Sequence, residues 1–382
     1  MPKVASTLGL LFLLSLTLLS LVRLSDAKDP FTGIVVMNSD GSGQTRLIFD
    51  RGDDWGPDWS PDGSKIIFQG RRDSSIKIFV VNADGFGEIQ LTFGVGIDWS
   101  PRWSPDSKKI VFTSDRTGND EIYVMNANGS GVIQLTHNPA SDGPPSWSPD
   151  GKRIVFDSDR DGDVEIFVMN VDGSGQTQLT FNKVLDTGPQ WSPDGRRIAF
   201  YGGSSCGTEY YCIAPSSQIN DAIFVMNADG SGQTQLTHNP ADDTSPNWSP
   251  DGKKISFTSD RDGDQEIYVM NADGSRQTRL TFNQGNDLLP DWSPDGTKIA
   301  FSSQVTTTAS ATRTITTNIV SQTYPAGTAT PITTAQRITS IELFHLVLSD
   351  QTLIVIAVGL VGAVIAMFAL IRRTSKRTGP VN

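Results

Sequence analysis

Histidine and cysteine are nearly missing from this chain: three and two among 382 residues. His137, His238 and His345 are too few and too scattered for a histidine-based zinc cluster or for a nucleophile–histidine–acid set. Positive charge is also short. Lys and Arg total 31 against 42 Asp and Glu. Leaving aside eight basic and three acidic residues outside 28–304, the central region carries 23 against 39, a net charge of about −16. A field of that sign repels nucleic acid and anionic membrane surfaces, and it favours cations, basic peptides or neutral ligands.

Long apolar runs are confined to the two ends. Lys3 precedes the run Leu8 to Val22, and Ser25-Asp26-Ala27 offers a small-x-small cleavage site. Residues 1–27 therefore read as a secretory signal peptide, with an uncleaved anchor as the alternative. Leu353 to Ile371 is 19 residues without a charge. As a helix it would span about 28 Å, enough to cross a bilayer core. Arg372, Arg373, Lys376 and Arg377 follow it, so the tail 372–382 is expected in the cytoplasm and the bulk of the chain outside, extracellular or periplasmic, on a single-pass cell-membrane protein. The Thr/Ser/Ala-rich stretch 305–340 reads as a stalk with ends roughly 30–35 Å apart. Asn128-Gly-Ser and Asn247-Trp-Ser are glycosylation sequons.

What the chain has in abundance is one phrase. Trp-Ser-Pro-Asp-Gly recurs with its tryptophan at 59, 103, 147, 191, 248 and 292, in steps of 44, 44, 44, 57 and 44 residues. The second copy departs, with Ser107 at the glycine position. Ser-Pro-Asp-Gly is a type I turn. In the fifth repeat Lys254 to Thr258 alternates as a strand, Asp262-Gly263 marks a hairpin, Glu266 to Asn271 is a second strand, and Thr278 to Thr281 a third. The stretch before the tryptophan supplies the fourth. Four antiparallel strands in 44 residues, repeated in tandem, make a propeller blade. Six tryptophan units and six VMN-type strands give six blades over 31–304. The chain opens on the outer two strands of a blade and ends on the inner two, so a two-plus-two composite closes the ring. The predicted fold class is an all-β, six-bladed β-propeller of four-stranded blades, followed by one transmembrane helix.

The 57-residue step holds a 13-residue excess near 202–220. It contains Cys206 and Cys212, expected to pair as a disulfide closing the insertion in an exported protein, and Tyr210 and Tyr211, candidate binding residues on an idiosyncratic loop.

Two carboxylate patterns are candidate sites. Asp54, Asp98, Asp142, Asp186, Asp243 and Asp287 stand five residues before the six tryptophans. They form a ring at one mouth of the central channel that either pairs with Arg72, Arg116, Arg160 and Arg261 or binds a cation or ligand. Asp157, Asp159, Asp161, Asp163 and Glu165 resemble the front of a calcium loop, but Val168 occupies its twelfth position, and the same residues fit an Asp-Gly hairpin. Calcium is the one cofactor the pattern raises.

The phrases PxWSPDGxxIxF and SDRDGxxEIYVMNADGSGxxQLT resemble the PD40, or WD40-like, repeat of the TolB family across 31–304. The resemblance implies a six-bladed propeller in the bacterial periplasm that binds partner proteins. It does not extend to the α/β domain that precedes the propeller in TolB, so that protein's role in coupling an envelope complex is not implied. The same repeats also precede peptidase domains of the prolyl oligopeptidase type, but the 78 residues after Gln304 read as stalk and helix, without a nucleophile elbow. The expected function is a membrane-anchored module binding a protein or peptide. The alternatives are a carbohydrate-active or hydrolytic enzyme using channel-mouth carboxylates, and a calcium-stabilised envelope protein.

Overall fold

A computed structural model of the chain describes residues 31–48, 52–72, 74–203 and 220–305. The signal peptide, the stalk beyond Val305, the apolar run 353–371, the tail, and Cys206, Tyr210, Tyr211 and Cys212 lie outside the described residues.

Every described element is a strand, and the strands form six four-stranded antiparallel sheets. The first blade is typical: Asp54–Trp59 innermost, then Lys65–Arg72, Ser75–Asn82 and the two-residue edge Ile89–Gln90. Blades 2 to 5 follow in chain order. Blade 6 takes Asp287–Trp292 and Lys298–Val305 from the end of the region and Phe31–Asn38 and Thr45–Arg46 from its start. Its central pairing, from Phe31↔Val305 to Asn38↔Lys298, is the two-plus-two closure that the sequence predicts. The third strand of the repeat is shorter than expected, Thr278–Arg279 rather than four residues.

The turn chemistry explains the strict phrase. In the first copy Gly63 N–H closes on Ser60 O at 2.8 Å, and Ser60 Oγ donates to Asp62 Oδ1 at 2.6 Å. Gly63 sits at φ 72°, where a side chain is unfavourable, and Ser107 adopts the same left-handed state at φ 58°. The second strands read as continuous apolar runs because blades are covered on both faces: Ile66, Ile67 and Phe68 are fully buried. Six apolar clusters result, each drawn from two neighbouring blades. One joins Ile34, Val36 and Ala300 of blade 6 to Trp59, Phe68 and Phe79 of blade 1, so the core continues across the closure.

Candidate functional site

The six repeat aspartates sit at the end of the channel where the inner strands begin, with exposures of 0–2%. Four are paired within their own blades. Asp54 meets Arg72 at 2.8 Å, Asp98 meets Arg116 at 2.6 Å, Asp142 meets Arg160 at 2.9 Å, and Asp243 meets Arg261 at 2.8 Å. Each guanidinium also lies over an aromatic ring of its blade, as Arg160 does over Phe167 at 4.5 Å. Asp98 has a second cation, Lys77 Nζ at 3.3 Å.

Blades 4 and 6 differ. At the arginine position they carry Ser204 and Val305. Asp186 and Asp287 take hydrogen bonds from Asn182 and Asn283, both at 2.6 Å. Each also has a glutamate of the preceding blade beside it, Glu165 and Glu266 respectively. Burial pushes Asp186 and Asp287 up to about 6. Glu165 is pushed up to about 8, first by burial and then by the charges of Asp186 and Asp163. Glu266 has Arg279 at 2.5 Å instead.

The acidic run of blade 3 is spread over separate tasks. Asp157 accepts Thr187 Oγ1–H and the Gly188 N–H of blade 4, Asp159 accepts the Ser141 N–H at 2.9 Å, and Asp161 accepts from Gln178. Glu165 accepts from Thr180. Among the described residues, no group of three or more His, Cys, Asp or Glu side chains stands together in a way that could hold a metal ion.

The channel itself is lined by other positions of the inner strand. The pairing of inner and second strands shifts register between the fourth and first residues before the tryptophan in every blade but the third, as between Trp55 and Asp58. At the bulge Gly56, Ser100, Gly188, Ser245 and Leu289 take φ of 47–60°. Three of these are not glycine, and Leu289 is bulky, so the backbone is strained at the channel wall. Four bulge N–H groups reach side chains of the preceding blade: Gly56 to Ser302 Oγ, Ser100 to Gln69 Oε1, Gly188 to Asp157 Oδ2 and Leu289 to Thr258 Oγ1. In blade 3 the residue is Pro144, which has no N–H. The corresponding Thr113 Oγ1 is left buried without a partner.

Two layers of the wall break the sixfold repetition. At the rim, four residues before each tryptophan, stand Trp55, Trp99, Gly143, Thr187, Thr244 and Leu288. The indoles of Trp55 and Trp99 are half-buried. Arg71 lies over the Trp55 ring at 5.6 Å, and Trp99 Nε1 donates to Asp120 Oδ1 at 3.3 Å. With Leu288 and Leu289 they make the rim apolar on blades 6, 1 and 2 only. Deeper, immediately before each tryptophan, stand Asp58, Arg102, Ser146, Gln190, Asn247 and Asp291. Asp58 accepts the Trp103 N–H at 2.7 Å and pairs with Arg102 at 3.4 Å. Asp291 accepts the Trp59 N–H at 2.7 Å and Asn247 Nδ2 at 2.9 Å. Burial pushes Asp58 up to about 6 against the pull of Arg102. Burial and then the Asp58 charge push Asp291 up to about 8.

Sequence reasoning found the aspartate ring and its arginines but missed this girdle and the two rim indoles. The signal was present: eight tryptophans for six repeats leave Trp55 and Trp99 over. The sequon at Asn247 also acquires a place, in the girdle, with its amide donating to Asp291.

The family model described as the TolB beta propeller domain, PD40, matches residues 31–141, 95–208 and 205–329. No curated protein matches the sequence. Among solved structures, a protein assigned as TolB from Agrobacterium tumefaciens superposes with a TM-score of 0.61 at 24% identity, covering 73% of this chain and 99% of its own. TolB from Acinetobacter baumannii gives 0.58 at 24% identity, with 69% and 66% covered. The tricorn protease gives 0.52 at 18% identity, over 65% of this chain but only 24% of its own length. At these identities the likeness is one of fold.

Proposed function

The chain belongs to the PD40 family of TolB beta propeller domains, and from that premise we propose that it is a membrane-anchored, extracytoplasmic module that binds a protein or peptide partner at the rim of its channel. The observation that carries the reading is the broken symmetry of that rim. A scaffold that repeats Trp, Ser, Pro and Asp six times places two extra indoles, Trp55 and Trp99, and the pair Leu288 and Leu289 on three adjacent blades. Partly buried aromatic side chains on a rigid frame are what a protein interface anchors on. The signal-peptide plan of 1–27 and the charge-free run 353–371 with its basic flank support export and a single C-terminal anchor. Affinity capture from a membrane-envelope extract with the wild-type chain, set beside a Trp55→Ala/Trp99→Ala variant, tests this. Recovery of a partner that depends on both indoles is expected, and equal recovery with the variant defeats it.

A second reading is favoured by one observation, the Asp58–Asp291 pair. Two neighbouring carboxyl groups with values held apart at about 6 and about 8 are what an acid–base hydrolase would use. Turnover of a glycan panel by the wild-type chain, lost in Asp291→Asn, would establish that reading in place of the first.

A further inference from the structure

We propose that the channel on blades 6, 1 and 2 recognises a primary ammonium group, carried on a lysine side chain or a free amino terminus, which passes the rim indoles and seats against Asp58 and Asp291. This rests on the reading of the rim as a peptide-binding surface and names what that surface selects.

Charge is the first ground. The girdle holds two carboxylates and one guanidinium, and its other three members, Ser146, Gln190 and Asn247, are neutral. Arg102 reaches Asp58 at 3.4 Å, while the hydrogen bonds to Asp291 come from an amide side chain and a backbone N–H. Four ring aspartates and Glu266 have cations, Arg72, Arg116, Arg160, Arg261 and Arg279, with Lys77 again for Asp98, whereas Asp186, Asp287 and Glu165, like Asp291, are held by neutral donors. With both carboxyls ionised the girdle is one positive charge short, a state that a bound ammonium favours; Asp291 is the more buried of the two, at 6% exposure. Asp58 is 14% exposed through its side chain.

The path to it is the second ground. Trp55 and Asp58 lie on one inner strand, as do Trp99 and Arg102. Two residues lie between rim and girdle, and with the bulge there the three-residue step spans at most about 10 Å, a depth that the four-carbon stem of lysine plus one hydrogen bond nearly spans. Indole faces attract cations and accept the methylene stem. Leu288 and Leu289 add apolar wall on the adjoining blade. The net charge of about −16 over 28–304 steers a cationic segment inward. The donor set fits an organic cation better than a metal ion, because only two carboxylates meet there and no larger acidic group forms among the described residues. A guanidinium is already present as Arg102, and a compact ammonium with three donors suits the remaining acceptors.

Isothermal titration of the full-length chain tests this with three short peptides: Ac-Gly-Gly-Lys-Gly-Gly-amide, its Gln counterpart, and Ala-Gly-Gly-amide with a free amino terminus. The lysine or the free-amine peptide is expected to bind at least tenfold more tightly than the Gln peptide, and the stronger of the two identifies the source of the ammonium. Asp291→Asn, Asp58→Asn and Trp55→Ala/Trp99→Ala should each remove that preference, with circular dichroism confirming the fold. Asp172→Asn, a charge change of the same size at an exposed turn, should keep it. A preference that survives Asp291→Asn and Asp58→Asn, or equal binding of all three peptides, or no binding of any, overturns the proposal. Partner capture that still depends on Trp55 and Trp99 would then leave the peptide-binding reading standing without the ammonium seat.

Discussion

Asp291 and Trp59 lie 232 positions apart in the chain, and the Oδ2 of the first accepts the backbone N–H of the second at 2.7 Å. The bond crosses from the last blade to the first. Asp58 makes the same bond to Trp103 one blade on. Replacing Asp291 by Ala leaves the Trp59 N–H without its acceptor in a buried place and also releases Asn247. The expected cost is about 1–3 kcal/mol, read as a lower midpoint in urea unfolding. A midpoint equal to wild type contradicts the assignment of Asp291 to the ring.

Glu165 and Asp186 make stability depend on pH in a definite direction. Both carboxyl groups are raised, to about 8 and about 6, with burial the leading cause. Unfolded, both titrate near 4. Between pH 4 and 8 the folded chain therefore binds more protons than the unfolded one, and stability falls as pH rises. The contribution is fully present below the unfolded values and is lost as pH climbs through the folded ones. Glu165→Gln imitates the protonated acid. Its Tm should exceed wild type by a margin that is small at pH 5 and grows to the equivalent of about 2 kcal/mol at pH 8.5. Thermal scans at pH 5, 7 and 8.5 read this directly, and an unchanged slope would refute it.

Arg160 and Arg116 occupy equivalent positions but should not be equally important. Arg160 is the cation beside the buried Asp142, whereas Asp98 keeps Lys77 at 3.3 Å when Arg116 is removed. Arg160→Ala is expected to cost about 3 kcal/mol, as for a buried pair losing one partner. Arg116→Ala should cost less than half of that. Chemical unfolding of the two variants side by side decides it, and the reverse order would show that Lys77 does not compensate.

Thr113 and Thr258 are a second equivalent pair with unequal roles. Thr258 Oγ1 accepts the Leu289 N–H at 3.2 Å, while Thr113 Oγ1 has no partner because the next blade offers Pro144. Thr258→Val should lose about 1–3 kcal/mol by orphaning the N–H. Thr113→Val should be neutral or stabilising, since it removes an unpaired buried hydroxyl. Equal losses in the two variants would contradict this reading of the bulge.

The fold was legible because its grammar repeats. A turn that needs Pro and Gly, a strand covered on both faces and a closing pair of half-blades all leave marks at a constant spacing. The pairing of Asp142 with Arg160 was legible for the same reason, since both stand at constant offsets from Trp147. The channel girdle was not. Asp58, Arg102 and Asp291 share one position in the repeat but no chemistry, so a search for agreement passes over them. Which inner-strand residues meet the lumen depends on the bulge before each tryptophan, and that backbone shift has no fixed residue type: Gly56, Ser100 and Leu289 all perform it. The contact of Glu165 with Asp186 was hidden differently, because it joins two blades whose relative placement only the closed ring determines.

The central claim is that the departures from the repeat at the rim, and not the repeat itself, bind the partner. The most direct measurement is quantitative capture from an envelope extract, comparing the wild-type chain with the Trp55→Ala/Trp99→Ala variant at matched folded concentration, with mass spectrometry of what is retained. A specific protein or peptide should be retained by the wild type and reduced at least tenfold with the variant. Equal retention by both, or no retained partner together with glycan turnover by the wild type, would contradict it.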